Sequence, residues 1–83
     1  MMQTGTLELD VHEMNQFQAK TYIDSRLKKV KRDIYQVKVI HGYHGGTTLR
    51  SMIRKTYRNH PKVIRVEVPL NPGETILVLR DLF

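Results

Sequence analysis

VIHGYHGGTTLR, residues 39–50, is the stretch on which the fold reading turns. Val39 and Ile40 close a β-branched run that begins at Val37 and ends at His41, the composition of a strand. Gly42, Gly45 and Gly46 then make a loop, and Thr47 or Thr48 can cap the exposed amides of a helix that starts there. LELDVH, residues 7–12, has the same form earlier in the chain. Leu7, Leu9 and Val11 alternate with Glu8, Asp10 and His12, the period of a half-buried strand. Asn15 and Gln18 follow at the spacing of a helix-starting box. Each segment is therefore a strand ending in a histidine and running into a helix. Laid side by side and parallel, the two strands bring Asp10, His12 and His41 to one edge of a sheet.

Working outward, Ala19, Tyr22, Ile23, Leu27 and Val30 form one apolar stripe at helical spacing, with Lys28, Lys29, Lys31 and Arg32 largely off it. In the second helix Leu49, Met52, Ile53 and Tyr57 make the buried face. Arg50, Arg54, Lys55 and Arg58 make the wet one. His60 closes that helix and Pro61 marks the exit. Residues 63–68 alternate like an edge strand, and Asn71-Pro72-Gly73-Glu74 has proline and glycine where a type II turn places them. Ile76–Leu79 is apolar without interruption and reads as a more central strand.

The order is βαβαββ. Right-handed crossovers set both helices on one side of the sheet, with the first three strands parallel and the last antiparallel. Ligands of open α/β sheets bind at the carboxyl ends of parallel strands, where His12 and His41 fall. Residues 1–5 are read as a tail and 6–83 as one small two-layer domain.

Composition sets the limits on function. The chain has no cysteine, which removes disulfides and thiolate metal sites and fits a reducing cytoplasm. No apolar run approaches a membrane span, and MMQTGTLELD lacks the basic and apolar regions expected of a signal peptide. The net charge is +6, and twelve of the fourteen basic residues lie between Arg26 and Arg65 with Asp33 as the sole acid among them. Such a segment attracts polyanions through counterion release, although solvated helix faces have the same composition.

Asp10 and His12, on one face of a strand, would stand about 7 Å apart. The carboxylate can orient the imidazole, and histidine titrates near neutrality, as acid–base chemistry needs. A polar solvent face is the plainer reading of that segment. The glycine loop is more specific. Its glycines allow the close backbone approach an anion needs, and the helix behind it offers free amides and a positive dipole end. Arg50, in the first turn, adds a phosphate contact. His12, His41 and His44 could ligate a metal only from an ill-held loop, so neither metal nor cofactor is expected. Tyr43 either stacks on a base or covers the loop.

At these two segments the chain resembles the Smr (small MutS-related) domain family, which carries an LDxH motif on its first strand and an HGxGxG-type loop after its second. Leu9, Asp10, Val11 and His12 match the first motif. His41, Gly42, Gly46, Leu49 and Arg50 match the second. The resemblance runs from about residue 6 onward. It implies an α+β two-layer sandwich, a four-stranded mixed sheet with two helices on one face, similar to the C-terminal domain of translation initiation factor three. It also implies DNA or RNA binding and, in several members, endonuclease cleavage of phosphodiester bonds by hydrolysis or transesterification. Carried over, Asp10 and His12 become the candidate catalytic pair, and His41 and Gly42 belong to the substrate loop. Joined with the reading of the residues themselves, this makes Asp10, His12 and His41 the catalytic candidates, and Gly42, Tyr43, His44, Gly45, Gly46, Thr47, Arg50, Arg54 and Arg58 the nucleic-acid-binding ones.

Two departures from the family pattern stand out. Glu13 replaces the glycine of LDxHG and brings negative charge to the site. His44 stands where HGxG has glycine, and Leu49 falls one residue late. Beside the endonuclease reading stand a non-catalytic module for structured RNA or ribonucleoprotein, and a protein–protein adaptor. The adaptor rests on the bare sheet face. Apolar residues on both sides of Ile76–Leu79 would favour a weak homodimer through it.

Overall fold

A computed structural model describes residues 5–42 and 46–81 of the chain. The elements are β1 (Thr6–Asp10), α1 (Gln16–Lys29), β2 (Gln36–Ile40), α2 (Gly46–Arg58), β3 (Arg65–Glu67) and β4 (Glu74–Val78). Together they form one four-stranded mixed sheet in the order β1-β2-β4-β3. β1 and β2 are parallel, and β4 runs antiparallel to both β2 and β3. The first three strands thus share a direction, and β4 takes the interior place its unbroken apolar run requires.

Register explains the core. Leu9 lies opposite Val39, Val37 opposite both Leu7 and Leu77, and Val66 opposite Leu77. These residues point to the face covered by both helices; Leu9, Val37, Val39 and Leu77 join Ala19, Ile23, Leu27, Leu49, Ile53 and Tyr57 in one buried cluster, with Leu7 and Val66 partly buried against it. α1 starts where Asn15 and Gln18 exchange two hydrogen bonds. The Asn15 side chain accepts from Gln18 N at 2.8 Å, and the Gln18 side chain accepts from Asn15 N at 3.0 Å. Two amides that the helix leaves open are thereby satisfied.

The opposite sheet face is polar at its rim but not bare. Ile76 lies between Lys38 and Glu67, and Val78 between Gln36 and Arg65. Lys38 pairs with Glu8, and Arg65 pairs with Glu67 and Asp81. Long side chains lie along the apolar ones and keep their charges outward. Ile76 is left 9% exposed and Val78 3%. Ile76 and Val78 therefore offer little exposed apolar area on this face.

Three local expectations change. The Asn71–Glu74 turn closes with Glu74 N donating to Asn71 O at 3.2 Å, but Gly73 lacks the positive φ of a type II turn. Gly73 packs closely on the second loop instead. A Cβ there would stand 3.4 Å from the backbone of Gly42. Second, α2 begins at Gly46, so Thr47 and Thr48 lie inside the helix and Arg50 falls just past its first turn. Third, Gly5, read as tail, is buried beside the Tyr35 ring, and its carbonyl accepts from Tyr35 N and Gln36 N.

Candidate nucleic-acid interface

β1 ends at Asp10, so the LDxH segment is a strand end followed by a turn. Val11 still pairs with β2, its N–H donating to Ile40 O at 2.9 Å, and Met14 N then turns back to Val11 O. An extended strand would hold the Asp10 and His12 side chains about 7 Å apart. The turn closes that gap. Asp10 Oδ1 accepts from His12 N at 3.1 Å and meets His12 Nδ1 at 2.6 Å. One carboxylate oxygen fixes both the backbone and the ring of the same histidine.

The electrostatics follow from that contact. The hydrogen bond to Asp10 raises the His12 pKa above its ordinary value, and the charge of Asp10 adds to the effect. The same hydrogen bond lowers Asp10 below the usual carboxylate range. His12 and Asp10 side chains are 50% and 57% exposed, so a ligand in solvent can reach the ring. Its outer nitrogen, Nε2, lies 3.4 Å from Glu13 Oε2. Glu13 is thus the group a ligand must displace or share.

His41 is placed differently. It follows Val37 and Val39 on the helix-covered face and is only 1% exposed. Its Nε2 meets Thr75 Oγ1 at 2.9 Å, and its Nδ1 meets Gly42 O at 3.2 Å. A carbonyl can only accept, so Nδ1 carries the proton and the Thr75 hydroxyl donates to Nε2. Burial lowers the His41 pKa, and the charges of Arg54 and Arg50 press in the same direction, which keeps the ring neutral at pH 7. Thr75 Oγ1 also accepts from Arg54 Nε at 2.9 Å, and Arg54 Nη2 reaches Glu74 O at 3.3 Å.

Arg54 therefore corrects the expectation of a wet side chain, because it ties α2 to the start of β4. His41, expected beside Asp10 and His12 as a catalytic group, is a buried link in that tie. The histidines share an end of the sheet but not a face. Thr75 was missed, and its signal was a lone hydroxyl within an apolar strand. Thr75→Val should cost about 1–3 kcal/mol in a denaturant melt, since His41 and Arg54 would lose a buried partner.

Gly42 joins the two halves of the site. Its φ of +83° is left-handed, and a Cβ there would stand 3.3 Å from His12 Cβ. Its N–H and that of His41 both donate to Gly73 O, at 3.0 and 2.9 Å. The loop thus leaves β2 pinned against the β4 turn and directly beneath His12. Tyr43, His44 and Gly45 lie outside the described residues. Arg50 is half-buried and Arg58 exposed on α2. No group of three or more His, Asp or Glu among the described residues could hold a metal.

The Smr domain family profile matches residues 9–73, from the strand that carries Asp10 to the turn that packs on Gly42. The chain belongs to the Smr domain family. The Smr domain of MutS2 from Thermus thermophilus has the same fold in its crystal structure. It superposes with a TM-score of 0.79 at 24% identity, covering 90% of this chain and 99% of that one. No curated protein matches the chain. Within this Smr domain the two sequence motifs have separate structural duties. The first exposes a hydrogen-bonded Asp–His pair, and the second buries its histidine against Thr75.

Proposed function

We propose that this Smr domain binds nucleic acid and cleaves phosphodiester bonds with His12 as the proton-transfer group and Asp10 as the group that orients it. The observation that carries this reading is the 2.6 Å contact between Asp10 Oδ1 and a half-exposed His12 ring. Asp10 holds Nδ1 as the donor, so in the neutral ring Nε2 is the nitrogen free to take a proton from an attacking hydroxyl or water. Arg50 supplies positive charge at the same end of the sheet, where it can stabilise a phosphate oxygen as negative charge develops. The deciding experiment is incubation of purified protein with branched DNA, duplex DNA and structured RNA, with and without chelator. Cleavage of any one supports the reading, and binding without cleavage removes the catalytic half of it.

A second reading, a module that binds structured RNA without cutting it, is favoured by Glu13. Its carboxylate at 3.4 Å from Nε2 occupies the position a phosphate-bound hydroxyl would need. The two readings part on one substitution. If Glu13 restrains catalysis, Glu13→Gly should raise the cleavage rate while leaving the fold intact, because the Glu13 side chain is 86% exposed. An unchanged rate would show that Glu13 swings clear when substrate binds.

A further inference from the structure

Six of the fourteen basic residues gather away from the candidate site. α1 runs back from the carboxyl end of β1 to the amino end of β2, so its last turn and the following residues lie at the opposite end of the sheet. Arg26, Lys29 and Lys31 line one groove there, with Leu7, Val30, Asp33 and Ile34. Val30 is shared with a second groove lined by Arg32, Lys62 and Arg80, with Pro61, Ile64 and Leu79. Three chain segments distant in sequence thus bring six cations to one end.

Those cations are exposed, and none forms an ion pair among the described residues. Lys62 donates from Nζ to the α1 carbonyl of Leu27 at 2.8 Å, so the helix end already has a capping cation. The helix dipole explains favourable positions for Arg26 and Lys29. It does not account for Lys31, Arg32 and Arg80, which lie beyond the helix. Of the other cations, Lys20, Lys38 and Arg65 pair with Asp24, Glu8 and Glu67, while Lys28, Arg50, Lys55 and Arg58 are spread along the two helices. The end that carries His12 holds the carboxylates of Asp10, Glu13 and Glu74 together with Arg50 and Arg54.

Distance then decides how this surface can act. The fourteen residues of α1 separate the two ends by roughly 20 Å at 1.5 Å per residue. The Debye length at physiological salt is about 8 Å, so the basic end cannot hold a phosphate at His12 through its field. It must touch phosphates itself. We infer that the two grooves around Val30 form a separate docking surface for the phosphate backbone of a nucleic acid, remote from Asp10 and His12. This rests on the proposed nucleic-acid reading and adds a requirement to it. A substrate engaging both ends must extend about six base pairs or more along a duplex.

The test compares two double variants that remove equal charge. Lys31→Gln with Arg32→Gln neutralises unpaired cations of the docking surface. Lys20→Gln with Lys38→Gln neutralises paired cations elsewhere. Binding of a labelled DNA hairpin with a stem of about ten base pairs is followed by anisotropy across a salt series. The docking-surface variant should lose at least tenfold in affinity, and the slope of log K against log salt should become shallower by about 2, while the control keeps the wild-type slope. Arg26→Gln with Arg80→Gln should reproduce the loss. Equal behaviour of docking-surface and control variants would overturn the docking surface and leave the nucleic-acid reading intact. Failure of the wild-type protein to bind the hairpin or a structured RNA would overturn both.

Discussion

In a variant carrying Asp10→Ala and His12→Ala, the single-turnover cleavage rate is expected to fall by about 10²–10⁴-fold, the usual share of a positioned acid–base group. Binding should change little, because both side chains face solvent and the phosphate affinity resides in cations elsewhere. The pH dependence separates the two residues. The hydrogen bond and charge of Asp10 hold His12 protonated to higher pH than an ordinary imidazole. A His12 that acts as base must first lose that proton, so the rate should rise with pH through a midpoint above the ordinary histidine value. Asp10→Asn removes the cause of the shift, and the midpoint should move down. A rate–pH profile that is the same in wild type and Asp10→Asn would show that the pair does not titrate in the rate-limiting step.

The largest expected effect on stability comes from Tyr57→Ala. Tyr57 is fully buried in α2, and its hydroxyl reaches across to α1, donating to Asp24 Oδ1 at 2.6 Å with Lys20 O at 3.2 Å. Burial raises the phenol pKa, and the Asp24 carboxylate raises it further, so the group stays a donor throughout the working range. Truncation removes a large aromatic from a two-layer core with few others, and should cost about 3–5 kcal/mol. Tyr57→Phe keeps the ring and loses only the bond, for about 1–2 kcal/mol. Equilibrium denaturation of the two variants measures the packing and the hydrogen bond separately. Equal losses would mean that the hydroxyl, and not the ring, locks the helices together.

The order of elements, the direction of every strand and the capping box at Asn15 were legible in the sequence. Each follows from short-range pattern: alternation in β1, helical spacing of Ala19, Ile23 and Leu27, and an interior apolar run at Ile76–Leu79. The Asp10–His12 pair was legible as residues but not as geometry. Strand spacing separates them, and only the turn after Val11 folds the ring back onto the carboxylate. His41 and Arg54 show where periodicity stops being informative. A histidine at a strand end and an arginine on an amphipathic helix look exposed by pattern, yet register places Thr75 beside Val39 and draws both side chains inward. Gly73 carries a turn signal in one dimension, while its carbonyl accepts from His41 and Gly42, which the sequence does not show. The same holds for charge. The sequence by itself determined that the chain is basic and that its strands end in histidines. Only the tertiary structure decided that Arg26, Arg32, Lys62 and Arg80 meet at the end farthest from His12, because α1 must run the length of the sheet to let β2 lie parallel to β1.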